Sequence, residues 1–494
     1  MKKQAVNPYL PSYEYVPDGE PHLFGNRLYI FGSHDRFNGT TYCMNDYVCW
    51  SAPADDLSDW RYEGVIYRKT QDPNNPDGRK SMYAPDVAQG PDGKYYLYYG
   101  LADDTKVGVA VCDSPAGQYK FIGSVHDRNG NILGRREQDF MPFDPAVLVE
   151  EGRIFLYVGQ GPKSAEEAEA DRSRHFRDTV YFVELEQDMV TMKAEPVRMM
   201  IPNAAESAGT GFEGHEFFEA SSIRKFDGKY YYIYSSVQSH ELCWAVSEHP
   251  DRDFVYGGVL TSNGDVGSDG IPNPHRYGVK LDKKVKNYIG NNHGSVVRIG
   301  EQYYVFGHRQ TNHSMYSRQG YAERIRFEAG RFLYTGLTSS GLNDGPLKAQ
   351  GTYDAGIACH LMSGEGCILC YRPTELDSLH PAFTQDGEDR EENPDQYISN
   401  MKDGAQALYR YFSFRECRPG TMSVRVRGDA DGTLTVTDRE DGTREYARFR
   451  IDALDRQQWT DHKAQFHCPE DADTLCFRYA GRGYIDFRSF EFLP

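Results

Sequence analysis

One short run of apolar and aromatic residues, entered through a tight turn and a long polar residue, recurs five times along the chain. The copies are NRLYIFGS from Asn26, GKYYLYYG from Gly93, GRIFLYVG from Gly152, GKYYYIYS from Gly228 and EQYYVFGH from Glu301. Each predicts a hairpin that leads into a buried strand. Successive copies stand 67, 59, 76 and 73 residues apart, and a fixed unit repeated at such a period signals a propeller or a solenoid. The intervals exceed a solenoid repeat and leave room for about four short strands per unit, so five β-propeller blades are expected.

Eight to ten residues before the long polar residue of each phrase stands one ionisable side chain in an extended segment. These are Asp18 in PDGEPH, Asp86 in YAPDV, Asp144 in FDPAV, Glu219 in FFEASS and His293 in NNHGS. The first strand of a propeller blade lines the central channel, so one position per blade should converge on the axis. Asp18, Asp144 and Glu219 share their spacing and surroundings, and together predict a carboxylate cluster at a channel mouth. Taken singly, each is equally a turn-forming residue at a strand edge.

Past the fifth phrase the pattern changes. A Ser/Gly/Asn/Pro cluster, SSGLNDGPLKAQG, covers Ser339 to Gly351. Short alternating runs follow, among them TMSVRVRG, TLTVTD, YARFRI, TLCFRYAG and YIDFRSFEF, separated by Gly and Asp. They predict an antiparallel sandwich or jelly roll. The chain is thus expected to be all-β, with a propeller over 1–342 and a sandwich over 343–494. The acidic stretch around Glu388, QDGEDREENPDQ, reads as a solvated loop within the sandwich. One helix-like segment, AEEAEADRSRHF near Ala168, reads as a surface excursion in blade three.

Composition narrows the function. The 494 residues include 73 acidic against 55 basic side chains, a net charge of -18, which disfavours nucleic acid and anionic membranes as partners. The 36 Tyr and 26 Phe supply flat rings that suit strand cores first and sugar faces second. The N-terminal MKKQAVNPYLPSYEY has no apolar core of a signal peptide, so a cytoplasmic location is expected. No run approaches the roughly 18 apolar residues of a membrane span. The ten cysteines then read as reduced thiols, and the CxxC of Cys367 and Cys370 lacks a second pair that would make a zinc site.

The segment NPYLPSYEYVPDGEPHLFGNRLYIFGSHD, with YAPDV, FDPAV, FFEASS and NNHGS ahead of successive phrases, resembles glycoside hydrolase family 43 over roughly residues 7 to 340. The tail, through DQYISNMKDGAQALYRYFSF, VRVRGDADGTLTV and YAGRGYIDFRSFEF, is similar to family 6-type carbohydrate-binding modules. The resemblance implies a five-bladed propeller acting on xylose- or arabinose-containing glycans, without an organic cofactor. A non-catalytic glycan-binding propeller is the competing expectation. Three intact carboxylates speak against it, because a lectin needs no acid.

Glycoside hydrolysis needs an acid to protonate the leaving oxygen and a base to activate water. Asp18, beside Gly19 at a strand start, suits a base that stays ionised. Glu219, between Phe218 and Ala220, suits an acid whose pKa is raised by apolar surroundings. Asp144 is then the third carboxylate, near enough to tune Glu219. The resemblance implies the same three roles and inversion of configuration. It also implies a sugar contact at Arg318 in SRQGYAERI, a place near the sugar or under the pocket for Asp86, and a calcium ion beside His293. His34 and Asp35, ending the first phrase, fall near the channel mouth by register. The tail is expected to be catalytically silent and packed on the propeller.

Overall fold

A computed structural model describes residues 3–171, 177–199, 201–268, 281–368, 378–392, 395–452 and 455–494. Four four-stranded antiparallel sheets and one three-stranded sheet follow one another. Blade one holds β1 (Glu20–Phe24), β2 (Arg27–Phe31), β3 (Tyr47–Pro53) and β4 (Arg61–Tyr67). Blade two holds β5 (Asp86–Gln89), β6 (Tyr95–Leu101), β7 (Asp104–Cys112) and β8 (Lys120–Ser124). Blade three holds β9 (Ala146–Glu150), β10 (Arg153–Gly159), β11 (Val180–Leu185) and β12 (Val197–Arg198). Helix α1 (Ala165–Asp171) lies between β10 and β11, and residues 172–176 of the segment read as helical lie outside the described residues. Blade four holds β13 (Phe217–Phe226), β14 (Lys229–Ser236), β15 (Glu241–Ser247) and β16 (Val255–Ser262). Beyond a short strand β17 (Leu281–Asp282), blade five holds β18 (Val296–Ile299), β19 (Gln302–Thr311) and β20 (Ser314–Ile325), three strands of the expected four among the described residues.

Each repeated phrase is the second strand of its blade, entered through a hairpin whose turn needs positive φ. Glu151 and Gly152 (48° and 76°) and Asp227 and Gly228 (49° and 83°) both turn through the left-handed region. This is the twist-compatible hairpin geometry that favours Gly at the second position. The phrase residues fill the spaces between blades. Leu28 and Ile30 of β2 pack on Val297 and Phe306 to close blade one on blade five. Other apolar clusters join blades one and two, two and three, three and four, and four and five. A fully buried aliphatic or aromatic side chain of this kind contributes roughly 1.5–3 kcal/mol. Among the first strands, β1 adjoins β5 and β18, and β9 adjoins β5 and β13, which carries the ring round its axis.

The tail forms one continuous β-structure around a single core that includes Val424, Leu434, Phe477 and Phe487. The runs TMSVRVRG and TLTVTD prove to be one strand, Thr421–Thr437, and TLCFRYAG and YIDFRSFEF another, Thr474–Leu493. The two pair along their whole length from Thr421↔Leu493 to Thr437↔Cys476. The glycines taken for turn residues instead lie inside the strands. Gly428 and Gly481 (φ 148° and 150°) sit against the partner backbone where a Cβ would meet a carbonyl oxygen. The nine described cysteines are free thiols, and Cys370 lies outside the described residues.

The acidic stretch is exposed at Asp386, Gly387, Glu388, Glu391 and Glu392, as a solvated loop should be, but Asp389 and Arg390 turn inward onto the propeller. Asp389 accepts hydrogen bonds from the Phe37 backbone N–H (2.7 Å) and from Asn45 Nδ2 (3.0 Å). Arg390 donates to Glu14 and lies 2.9 Å from His34 Nε2. The carboxylate of Glu14 is fully buried and calls for a cation, which this turn supplies. Val6 also packs against the tail core, and the Tyr15 hydroxyl donates to Gln385 (2.7 Å). Limited proteolysis is therefore expected to release no soluble, active fragment ending near Asn343. Mass spectrometry of a digestion time course checks this, and such a fragment would contradict close packing.

Candidate active site

A cavity of about 500 Å³ opens at the axis, lined among others by Asp18, Asp144, Glu219, His293 and Arg318. The three carboxylates picked from register thus share one chamber. Their backbones explain how they reach it. Asp18 and Asp144 each precede an inner strand with positive φ (56° and 46°), a conformation Asp tolerates better than most residues. Glu219 lies inside β13 where the pairing with β14 slips on either side of it, an irregularity that re-aims the side chain. The Ala220 N–H, at φ 69°, donates to Asp144 Oδ2 (3.0 Å), joining the ends of blades three and four.

The electrostatics set the carboxylates apart. Burial would raise the pKa of Asp18, but the Arg318 guanidinium and the nearby imidazoles outweigh it and hold the carboxyl well below its usual range. Arg318 Nη1 donates to Asp18 Oδ1 (3.0 Å), and His308 Nδ1 stands 3.2 Å from the same oxygen. Burial raises Glu219, against the opposing pull of Lys163 and of Gln160 Nε2, which donates to it at 3.0 Å. Asp144 is likewise raised, first by burial and then by the charges of Glu219 and Asp18. Two raised carboxyls thus face one that is held low. His293 Nδ1 lies 3.6 Å from Asp144, and its Nε2 lies 3.8 Å from Glu20. Burial would lower its pKa, but these carboxylates raise it to about 9.

The other expected residues divide. Arg318 lines the cavity but is committed to protein partners. Its Nε and Nη2 donate to the two oxygens of Asp35 (2.8 and 3.0 Å), and its guanidinium lies over the Tyr42 ring. Asp35 and His34 do not line the cavity. Asp35 is the buried clamp on Arg318, and it also accepts from the Cys43 N–H (3.0 Å). His34 donates from Nδ1 to the Asp46 carbonyl (2.7 Å), away from the chamber. Asp86 is also outside the lining and is fully buried. It accepts from the Val147 N–H (2.7 Å) and the Val87 N–H (2.8 Å), and meets His22 Nε2 at 2.6 Å, tying blades one, two and three. Asp86, His34 and Asp35, expected near the sugar, thus stand behind the cavity wall, where Asp86 meets the alternative expectation of supporting the pocket.

Register missed several lining residues: Tyr42 and Cys43 from the β2–β3 loop, and Tyr83, Phe143, Gln160 and Lys163 from other loops. Loops carry no repeat, so no spacing marked them. His308 did leave a signal. It ends the fifth phrase, where the other copies end in Ser33, Gly100, Gly159 and Ser235. A larger cavity of about 1030 Å³ lies at the seam with the tail. Two of its acids are paired with cations, Asp265 with His360 and Arg410 and Glu440 with His360 and Lys286, while the third, Glu323, accepts hydrogen bonds from Asn7 and Thr338.

Beneath the chamber, Glu20, His22 and Asp86 each bring a ligand atom within 4.8 Å of the others and could hold a metal ion. Glu20 Oε1 and His293 Nε2 are buried, face one another and lack hydrogen-bond partners among the described residues. That pair fits a cation whose remaining ligands are waters, since calcium takes six to eight oxygens.

A channel-mouth chamber on a five-bladed propeller, with one carboxyl held low and two raised, has the groups that acid–base cleavage of a glycoside needs. The comparisons agree. The profile described as Glycosyl hydrolases family 43 matches residues 22–332, and the chain belongs to that family. A xylosidase/arabinosidase of Thermoclostridium stercorarium is 48% identical over 492 residues, 99% of each chain. A xylosidase/arabinosidase of Bacteroides ovatus is 30% identical over 51% of this chain and 80% of its own. The solved structure of a family 43 arabinoxylan arabinofuranohydrolase from Bacillus subtilis, in complex with cellotetraose, superposes with a TM-score of 0.51 at 18% identity. That likeness covers 99% of this chain and 97% of the other, and it concerns the fold. No described helix is long and apolar enough to cross a membrane.

Asp86→Ala should leave two buried N–H donors without acceptors and lower stability by about 3–5 kcal/mol. Asp86→Asn, which keeps one acceptor oxygen, should cost less. Denaturant unfolding of the two variants against the parent checks the order. Equal stability of all three would mean that Asp86 does not tie the blades.

Proposed function

We propose that the chain is an exo-acting, inverting glycosidase that releases pentose, as a β-xylosidase, an α-L-arabinofuranosidase or both, from xylan- or arabinan-derived oligosaccharides. Its catalytic unit is 1–342, with the sandwich 343–494 packed on it. One observation carries the reading: Asp18 is held ionised by Arg318 while Glu219, in the same chamber, is pushed toward keeping its proton. Asp18 is the base that activates water, and Glu219 is the acid that protonates the leaving oxygen. Asp144 is the third carboxylate, assigned to tune Glu219 and to orient it by accepting from the N–H of Ala220, the next residue. Inversion admits a water between base and acid. Tyr42, Tyr83 and Phe143 offer rings at the cavity wall on which a sugar can stack. The xylosidase/arabinosidase relative, matched over its full length, supports the pentose substrate.

Hydrolysis of the two nitrophenyl pentosides tests the substrate class, and absence of turnover on both would remove it. Asp18→Asn and Glu219→Gln should each lower kcat by about 100- to 10,000-fold on a natural disaccharide. Nitrophenolate leaves with little help from an acid. Glu219→Gln should therefore be milder on the nitrophenyl substrate, and Asp18→Asn equally severe on both. A variant that keeps more than about a tenth of parental kcat on the disaccharide would refute its assigned role.

A calcium ion would be held by Glu20 and His293 and, when bound, supplies positive charge that favours ionised Asp18. A ligand bound only to the native state stabilises by mass action, so dialysis against EDTA should lower the melting temperature and added calcium should restore it. Unchanged melting, with no stoichiometric metal in elemental analysis, removes the ion and leaves the three carboxylates as they are.

A further inference from the structure

The base is held by residues that reach back to the tail. Asp18 is gripped by Arg318, and Arg318 by both oxygens of Asp35 and by the Asp35 contact to its own backbone N–H (3.0 Å). Asp35 belongs to the loop between β2 and β3. That loop also delivers Tyr42 and Cys43 to the cavity wall. Bonds within the loop (Gly39 N–H to the Arg36 carbonyl, Asn45 N–H to the His34 carbonyl, Cys43 N–H to Asp35) and from the Asp35 N–H to the Tyr15 carbonyl shape it, and Asp389, in the turn after the tail strand Ala382–Asp386, ties it to the tail. One carboxylate oxygen of Asp389 takes the Phe37 N–H and the other takes Asn45 Nδ2. Asn45 Nδ2 in turn also donates to the Asp35 carbonyl (2.9 Å).

The same tail strand grips the second support of Arg318. The tip of the β19–β20 hairpin, whose last turn residue His313 stands five residues before Arg318, is tied through Asn312. Its N–H donates to the Phe383 carbonyl (2.7 Å), and its Oδ1 accepts from Thr384 Oγ1 (2.8 Å). Asn312 Nδ2 then donates to Asn38 Oδ1 (2.5 Å), back in the β2–β3 loop. Loop, hairpin and tail strand therefore form one closed set of bonds behind the guanidinium.

We infer that the sandwich positions the catalytic base: Asp389 is a positioning residue that fixes the β2–β3 loop, whose Asp35 orients Arg318 and through it Asp18. Asp389 touches neither the cavity nor Asp18. It acts through backbone placement, and displacement of a reacting group by about 1 Å costs on the order of 100-fold in rate. This inference rests on the proposed role of Asp18 as base. It also gives the sandwich a function beyond packing, although the sandwich brings no acid or base of its own to the chamber.

The test uses the full chain with Asp389→Ala and Asp389→Asn, assayed well below the melting temperature of each. Asp389→Ala should lower kcat/KM about tenfold, by the same factor on a nitrophenyl pentoside and on a disaccharide, because the base and not the acid is disturbed. Asp389→Asn keeps Oδ1 as acceptor for the Phe37 N–H and should recover to within about threefold of the parent. Hydrogen exchange should quicken at Phe37 and along 33–45 in Asp389→Ala, and stay near parental in Asp389→Asn. Unchanged exchange at Phe37 overturns the inference whatever the activity. So does quickened exchange with kcat/KM within twofold of the parent, or a loss concentrated on the disaccharide, which would point to Glu219. A parent chain inert on every pentoside refutes the substrate reading instead, and the exchange result still decides whether Asp389 holds the loop.

Discussion

Five inner strands that end on one axis bring like charges together where most of their surface is buried, and everything at this site answers that constraint. Glu20, Asp35, Asp86, Asp144, Asp18 and Glu219 are buried or nearly so within a few strand ends of each other. Charges so placed must be paired or neutralised by a proton. Arg318 serves Asp18 and Asp35, and Arg224 serves Glu20 at 2.6 Å. Asp86 is met by two backbone N–H groups and His22. Asp144 and Glu219 receive less and no guanidinium: one backbone N–H and the His293 imidazole at 3.6 Å for Asp144, one amide and a lysine farther off for Glu219. The division between a carboxyl held low and two that are raised therefore follows from where the guanidiniums stand. Each carboxyl has the same chemistry, and its partner decides its state.

The same pairings also close the ring. Arg224 of β13 reaches Glu20 in blade one and donates from Nε to the Val296 carbonyl in blade five (3.1 Å). Asp86 joins blades one, two and three. Blade one sits in both knots, and Gly19 bridges to Gly294 beside them, where a Cβ on Gly294 would strike the Phe306 carbonyl at 2.0 Å. With the ends fixed in this way, the left-handed backbones at Asp18 and Asp144 are held although they cost of order 1–3 kcal/mol each. Structure and chemistry use one set of bonds, so substitutions around the axis will rarely affect one alone.

The repeat made the blades legible, because a buried second strand needs the same apolar phrase each time and the hairpin before it needs the same glycine. It made the five axial positions legible for the same reason, and Asp18, Asp144, Glu219 and His293 do line the chamber. Asp86 shares their register but starts its strand two residues earlier in the blade than Asp18 or Asp144 do, and its side chain turns to the neighbouring blade's N–H groups. Register locates a backbone position and does not fix where a side chain points. The tail was harder. Gly428 and Gly481 mark close strand packing where the sequence suggested turns, and composition cannot separate the two uses. Asp389 and Arg390 were unreadable because their partners, Phe37 and Glu14, lie some 350 positions away and follow no period.

Those distant contacts reflect what a short fifth blade lacks. Among the described residues its sheet stops at β20, so the groups on its flank need cover from elsewhere. Arg309 of β19 is buried, and desolvation pulls its pKa down to about 9. Its Nη1 and Nη2 donate to the carbonyls of Ala358 (3.1 Å) and Gly356 (2.8 Å), and its guanidinium lies 3.8 Å above the Phe383 ring, all of them tail residues. Stripped of the tail, this cation would face open space on the flank beside Gln319, one residue from Arg318. A buried guanidinium that loses its acceptors costs several kcal/mol or drags its strand toward water. Either outcome would move β19 and β20, and with them the residue that keeps Asp18 ionised. The propeller supplies the carboxylates, but the strand geometry that separates their charge states is completed by the sandwich.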